Sequence, residues 1–240
     1  MVKVMSSDVI LQLDAGNSAV KWRLVGTSPC RRGRIAVAEL ADMLEQLPEK
    51  PTKAVASCVA GSEIATQLSV VVKNCCGLTL EFASVVDGTG GLYCGYAEPE
   101  KLGVDRWLAM LAARRRYTGA LVVIDAGSAA TFDVVSAEGK HLGGYILPGL
   151  ELMRTSLAGG TDQVQVERIG ASNLALGCNT AAAVNSGALA ALCALAEKLS
   201  CEHSARIVVA GGGGKLISEQ LAGAEYYPDL VLDGLNVHFS

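Results

Sequence analysis

Val9-Ile10-Leu11-Gln12-Leu13-Asp14-Ala15-Gly16 and Ala120-Leu121-Val122-Val123-Ile124-Asp125-Ala126-Gly127 follow one pattern. In each, an apolar run ends in Asp-Ala-Gly and small polar residues follow. A second strand-like run then begins, at Val20–Val25 and at Thr131–Val135. Asp14 and Asp125 stand 111 positions apart, close to half of the 240-residue chain. A repeat of that period reads as a duplicated domain, each copy opening with a β-hairpin. The expected division is into residues 1–117 and 118–240, each long enough to bury its own core.

Strand and helix patterns alternate between and after the two hairpins. Helices are expected at Val37–Leu47, Ile64–Cys75, Val104–Tyr117, Leu150–Leu157, Ala175–Leu199, Leu216–Leu221 and Val231–Leu235. Strands are expected at Ala54–Val59, Thr79–Val86, His141–Tyr145, Arg206–Ala210 and Tyr226-Tyr227. This alternation implies mixed α/β layers. A hairpin at the start of each half, with no G-x-G-x-x-G after the first strand, argues against a plain dinucleotide-binding sheet.

Half the residues are hydrophobic and only 5% are aromatic, so the cores must be built from aliphatic side chains. The net charge of −4 lacks the basic excess of a nucleic-acid binder. The one basic run, Arg114-Arg115-Arg116, closes a helical pattern, where cations suit the helix dipole and solvent. Eight cysteines form no C-x-x-C pair and no zinc spacing, and they read as reduced thiols. No apolar run reaches the length of a membrane span and the start lacks signal-peptide order, so a cytoplasmic protein without membrane partners is expected.

The first hairpin loop reads Asp14-Ala15-Gly16-Asn17-Ser18-Ala19-Val20-Lys21. An Asp at a strand end can serve a Mg²⁺ ion, and backbone N–H groups of a tight Gly-containing turn can form a concave anion nest. Ser18 adds a hydroxyl donor, and Lys21 can return across the hairpin to a phosphate. A plain hairpin turn would use the same residues. Its recurrence as Asp125-Ala126-Gly127-Ser128-Ala129-Ala130-Thr131 favours a nucleotide clamp. A third segment, Gly95-Tyr96 to Gly103-Val104-Asp105-Arg106-Trp107, holds a candidate general base in Asp105 and a candidate carboxylate clamp in Arg106. An acidic first helical turn would look the same, and these residues alone leave both readings open.

The two-lobed arrangement resembles the superfamily of actin, sugar kinases and heat-shock ATPases: two duplicated RNase H-like α/β domains with a nucleotide cleft between them. Within it, the chain resembles the type III pantothenate kinases. The resemblance rests on Asp14-Ala15-Gly16-Asn17-Ser18 with Lys21, Tyr96 with Gly103-Val104-Asp105-Arg106, and Asp125 to Thr131. It extends to His141-Leu142-Gly143-Gly144-Tyr145-Ile146-Leu147-Pro148-Gly149, Gly177-Cys178-Asn179-Thr180 ahead of Ser186-Gly187, and Gly211-Gly212. Ser128 stands where Thr is usual, Ala210 precedes the late glycines where Thr is usual, and Cys94 stands where Asn is frequent. Residues 158–168 match no family pattern.

The resemblance implies ATP-dependent phosphorylation of pantothenate. Asp105 would be the base. Asp14 would serve Mg²⁺ through the phosphates. Gly16, Asn17, Ser18, Lys21 and Ser128 would bind ATP. Tyr96, Gly103, Val104, Asp105, Arg106 and Thr180 would bind pantothenate. Asp125 would ligate a monovalent cation, K⁺ or NH₄⁺. It also implies a homodimer, with Thr180 reaching pantothenate bound by the other subunit; the acidic net charge adds the expectation of no nucleic-acid partner. The alternatives are another phosphotransferase of the superfamily, or a catalytically silent accessory factor of transcription.

Overall fold

In a computed structural model, which describes residues 8–16, 19–160 and 173–240, the first hairpin forms as the alternation dictates. β1 (Ile10–Ala15) pairs antiparallel with β2 (Val20–Val25), setting Asp14 opposite Lys21. Leu11, Leu13 and Ala15 are buried on one face, while Gln12 and Asp14 point to the other. β3 (Arg31–Ile35) adds antiparallel to β2. After α1 (Leu40–Glu45), β4 (Lys53–Cys58) pairs parallel with β1. α2 (Ser62–Cys76) stops where Gly77 turns left-handed at φ 73° and its N–H closes on the Lys73 carbonyl at 2.9 Å. β5 (Leu80–Phe82) completes a sheet of order β3-β2-β1-β4-β5, and α3 (Val104–Arg116) follows.

The second half repeats this plan. β6 (Leu121–Ala126) and β7 (Ala129–Val135) form the second hairpin, with Asp125 opposite Thr131, and β8 (His141–Pro148) adds antiparallel to β7. α4 (Leu150–Gly160) and α5 (Thr180–His203) lead to β9 (Arg206–Ala210), parallel to β6. α6 (Gly214–Ser218), β10 (Glu225–Tyr226) and α7 (Leu230–His238) end the chain. The order β10-β9-β6-β7-β8 is that of the first sheet, strand for strand. The duplicated α/β architecture is therefore present in the pairing itself.

Two aliphatic cores result. In the first, Leu11, Leu13, Val20 and Leu24 meet Leu40, Leu44, Leu68 and Val72. In the second, Val122, Ile124, Phe132 and Val134 meet Leu189, Leu192, Ala196 and Ile217. Each fully buried leucine contributes about 1.5–3 kcal/mol. The compact units interleave along the chain instead of dividing once after residue 117. One comprises Met1–Val85, Glu100–Leu108 and Val231–Ser240; the other comprises Val86–Pro99 and Ala109–Leu230. The reason is α7. Arg23 donates to Asp233 at 2.6 Å and Gln12 to Asn236 at 2.7 Å, so the last helix lies on the polar face of the first sheet.

Several elements differ from expectation. β3, Arg31-Arg32-Gly33-Arg34-Ile35, has no apolar run to signal it; it exists because β2 offers a free edge. β8 runs three residues beyond Tyr145, and β5 is only three residues long. α5 begins at Thr180, not Ala175, because the Asn179 carboxamide accepts from Ala182 N–H at 2.8 Å and caps it. The arginine run is not simply solvated. Arg114 donates to the Gly119 and Ala137 carbonyls, Arg116 stacks 4.8 Å from the Tyr227 ring centroid, and Arg115 is exposed.

Among the described residues α5 alone has the length and apolarity of a membrane span, and its Leu189, Leu192, Cys193, Ala196 and Leu199 are buried in the second core. All eight cysteines are free. Burial pushes the Cys193 thiol up to about 11. A thiol reagent at about pH 8 should therefore label exposed Cys30 and Cys201 in the native protein and leave Cys193 unmodified until unfolding, as read by mass spectrometry of digested fragments.

Candidate active site

Within the first unit, β1 carries Asp14 to the end of the strand, and β2 returns Lys21 directly opposite it. Residues opposed in an antiparallel pair share a sheet face. Carboxylate and ammonium are thus presented together, both half-buried, beside a turn closed by Gly16 N–H to the Ala19 carbonyl at 3.2 Å. Asn17 and Ser18 lie outside the described residues.

The same unit holds the start of α3. Trp107 N–H donates to the Gly103 carbonyl at 3.1 Å, which makes Gly103 the residue that launches the helix. The Asp105 carboxylate bends back and accepts from Arg106 N–H at 2.7 Å. A Cβ on Gly103 would stand 2.7 Å from Asp105 Oδ1, so the glycine leaves the space the carboxylate occupies. Arg106 is buried at 6% exposure, and Val104 is half-buried beside it. An acidic group at a helix start gains from the dipole in its ionised form, which is the form a general base requires.

Within the second unit, Asp125 lies one residue before the end of β6, opposite Thr131, and the turn to β7 exposes Ser128. Two glycine contacts hold this turn. Gly149 N–H donates to the Ser128 carbonyl at 2.9 Å, and a Cβ there would meet the Gly127 carbonyl oxygen at 2.2 Å. Gly211, at φ +84°, comes so close that a Cβ would lie 2.4 Å from Asp125 Oδ1 and 2.5 Å from the Ala126 carbonyl oxygen. Pro148-Gly149 and the late glycine run, far apart in sequence, therefore brace one loop. The Asp125 carboxylate at this loop is an oxygen donor of the kind that suits a hard cation.

Tyr96 lies in the second unit, on a segment laid against the start of β8. Tyr93 N–H donates to the Gly139 carbonyl and His141 N–H to the Tyr93 carbonyl, both at 2.9 Å. Thr180 is exposed in the first turn of α5 and lines a groove of about 530 Å³ with Met153, Leu157, Ala183, Val184 and Ala188. The structure thus brings Asp14, Gly16, Lys21, Gly103, Val104, Asp105 and Arg106 into one unit. Tyr96, Asp125, Ser128 and Thr180 belong to the other.

Sequence reasoning passed over Asp133, which is 1% exposed and pairs with buried His141 at 2.9 Å. The available signal was an acid inside the apolar run Thr131–Val135, which demands a partner when buried. Among the described residues no group of three or more His, Cys, Asp or Glu side chains forms a metal site. A divalent ion held by one carboxylate plus phosphates and water, as Mg²⁺ commonly is, fits Asp14 without such a cluster.

Comparison with known proteins bears on the fold and on the family. Two solved structures share the fold. A Campylobacter jejuni protein of the Baf family of transcriptional activators superposes with TM-score 0.60 at 22% identity, over 94% of this chain and 95% of that one. A 2-dehydro-3-deoxygalactonokinase-like protein of Sinorhizobium meliloti superposes with TM-score 0.57 at 15% identity, over 95% and 97%. At such identities these likenesses speak for the fold alone, which is that of the sugar kinases. Sequence speaks more narrowly. The type III pantothenate kinase of Pseudomonas aeruginosa is 36% identical over 95% of this chain and 97% of its own length. That of Nitrosococcus oceani is 34% identical over 95% and 92%. The family model for type III pantothenate kinases matches residues 10–201, a span that takes in both Asp-Ala-Gly loops and Gly103–Arg106. The chain belongs to the type III pantothenate kinase family.

Proposed function

We infer that this chain carries out the reaction of its family, transfer of the ATP γ-phosphoryl group to the hydroxyl of pantothenate, the first step of coenzyme A synthesis. The observation that carries this reading is the family match across residues 10–201, with Asp14, Lys21, Asp105, Arg106 and Asp125 present in the three segments and Ser128 keeping the hydroxyl where Thr is usual. Asp105 accepts the hydroxyl proton as the oxygen attacks. Gly16, Asn17, Ser18, Lys21 and Ser128 hold the ATP phosphates. Tyr96, Gly103, Val104, Arg106 and Thr180 hold pantothenate, with Arg106 forked on its carboxylate. Mg²⁺ near Asp14 and K⁺ or NH₄⁺ near Asp125 supply charge neutralisation for the transferring group when bound. Because phosphoryl-transfer transition states are loose, positioning and charge carry most of the acceleration.

The protein acts as a cytoplasmic homodimer. Support comes from the second unit, where Leu142 and Ile146 on β8 and Leu152 and Leu157 on α4 are 48–63% exposed. They accompany the apolar groove that reaches Thr180. Exposed apolar area of this kind is characteristic of a surface covered by a partner.

The deciding assay is ADP release from purified protein with ATP, pantothenate and Mg²⁺, with and without K⁺. Turnover that requires pantothenate and rises with K⁺ is the expected result. Absence of pantothenate-dependent turnover in folded dimer under any cation would overturn the reading.

A further inference from the structure

The segment that carries Tyr96 is fixed to the start of β8 and the turn before it by two backbone hydrogen bonds at Tyr93, to Gly139 and from His141, and by a close approach at Gly95. A Cβ on Gly95 would stand 2.0 Å from the His141 carbonyl oxygen. The next residue, Tyr96, lays its ring on the His141 imidazole with centroids 5.8 Å apart and planes 17° from parallel. His141 is fully buried, and its Nε2 lies 2.9 Å from Oδ1 of Asp133, itself 1% exposed. Its Nδ1 is buried with no hydrogen-bond partner among the described residues.

A buried carboxylate and an imidazole with one unsatisfied nitrogen form a costly arrangement for a site whose only task is to fill space. An aliphatic residue at position 141 would pack without that cost, and would offer Tyr96 no flat plate at a fixed angle. The Asp133 carboxylate, by holding Nε2, removes the freedom of the imidazole to rotate about its own axis. The plane of the plate is then set by β7 and β8, rigid strands, and not by the loop that bears Tyr96.

We propose that Asp133 and His141 are positioning residues that orient Tyr96 for pantothenate. This rests on the reading of Tyr96 as a pantothenate contact. Neither residue touches substrate; both act through the tyrosine ring, so their effect falls on pantothenate affinity and not on ATP or on the chemical step.

The test is a double-mutant cycle on KM and kcat. His141→Gln keeps an amide nitrogen in reach of Asp133 and removes the plate. It should raise KM for pantothenate about three- to tenfold, the size of one aromatic pair, with kcat and KM for ATP within about twofold. Tyr96→Ala should raise the same KM at least as much, and adding His141→Gln to it should change nothing more. His141→Phe, which restores a ring, should recover part of the loss; if either His141 variant fails to fold, the other carries the test. If Tyr96→Ala raises KM but His141→Gln is silent, lowers kcat instead, or adds independently in the double variant, the positioning role is overturned. If Tyr96→Ala leaves KM unchanged, the tyrosine is no substrate contact and the proposal falls with that reading.

Discussion

Asp105→Asn should lower kcat by about 10²–10⁴-fold, the range that a positioned general base contributes. The substitution is a clean probe because of local geometry. The Asp105 oxygen accepts from Arg106 N–H at 2.7 Å, and an Asn oxygen can accept the same bond. The start of α3, and with it Gly103 and Arg106, should keep its shape, so the melting temperature and the KM for ATP should hardly move. What is lost is the capacity to take a proton. The magnitude discriminates between two roles. Phosphoryl transfer asks little covalent help of the protein, so a fall of less than about tenfold would mean that the carboxylate orients the hydroxyl and does not accept its proton. ADP release at saturating pantothenate, measured beside thermal unfolding, reads both quantities.

The second large effect is expected far from any motif. Gly234→Ala should destabilise the protein by about 2–4 kcal/mol, an overpacking cost at the upper end because the obstacle is backbone. A Cβ there would stand 2.2 Å from the Leu108 carbonyl oxygen and 2.6 Å from its carbonyl carbon, with no flexible side chain to give way. For a chain of this size that loss corresponds to a fall in melting temperature of roughly 5–15 °C. Leu108 lies three residues beyond Asp105 on the same helix, so the displacement should reach the base and lower kcat as well. Scanning calorimetry and the same turnover assay measure the two effects. A melting temperature unchanged within about 2 °C would show that α7 has room to move off α3. Gly234 carries no signal of this in the sequence, where it reads only as a weak residue inside a short helix.

The comparison of Gly234 with Gly103 marks the general boundary between what was legible early and what was not. Gly103 belongs to a local pattern, Gly103-Val104-Asp105-Arg106, in which the glycine clears space for a carboxylate two residues away. Asp14 with Lys21, and Asp125 with Thr131, are equally local, because the short turns of the two hairpins place them opposite each other. The repeat that announced two equivalent sheets is likewise a matter of strand period and turn residues, and it survives in strand orders that match one for one.

Contacts between distant stretches were not legible. Nothing near Ser128 shows that Gly149 and Gly211 brace its loop. Nothing near Tyr96 reveals the Asp133–His141 pair beneath it, and β3 is a strand because a neighbour supplied an edge. The amino-acid sequence by itself determined the duplicated α/β plan and the chemistry-bearing loops, since strand period, turn formation and helix starts are set by neighbours along the chain. The tertiary structure alone decided that the last helix returns to the first sheet, that Asp133 meets His141, and which glycines must stay bare. Those depend on backbone and side chains that come together only when the cores close.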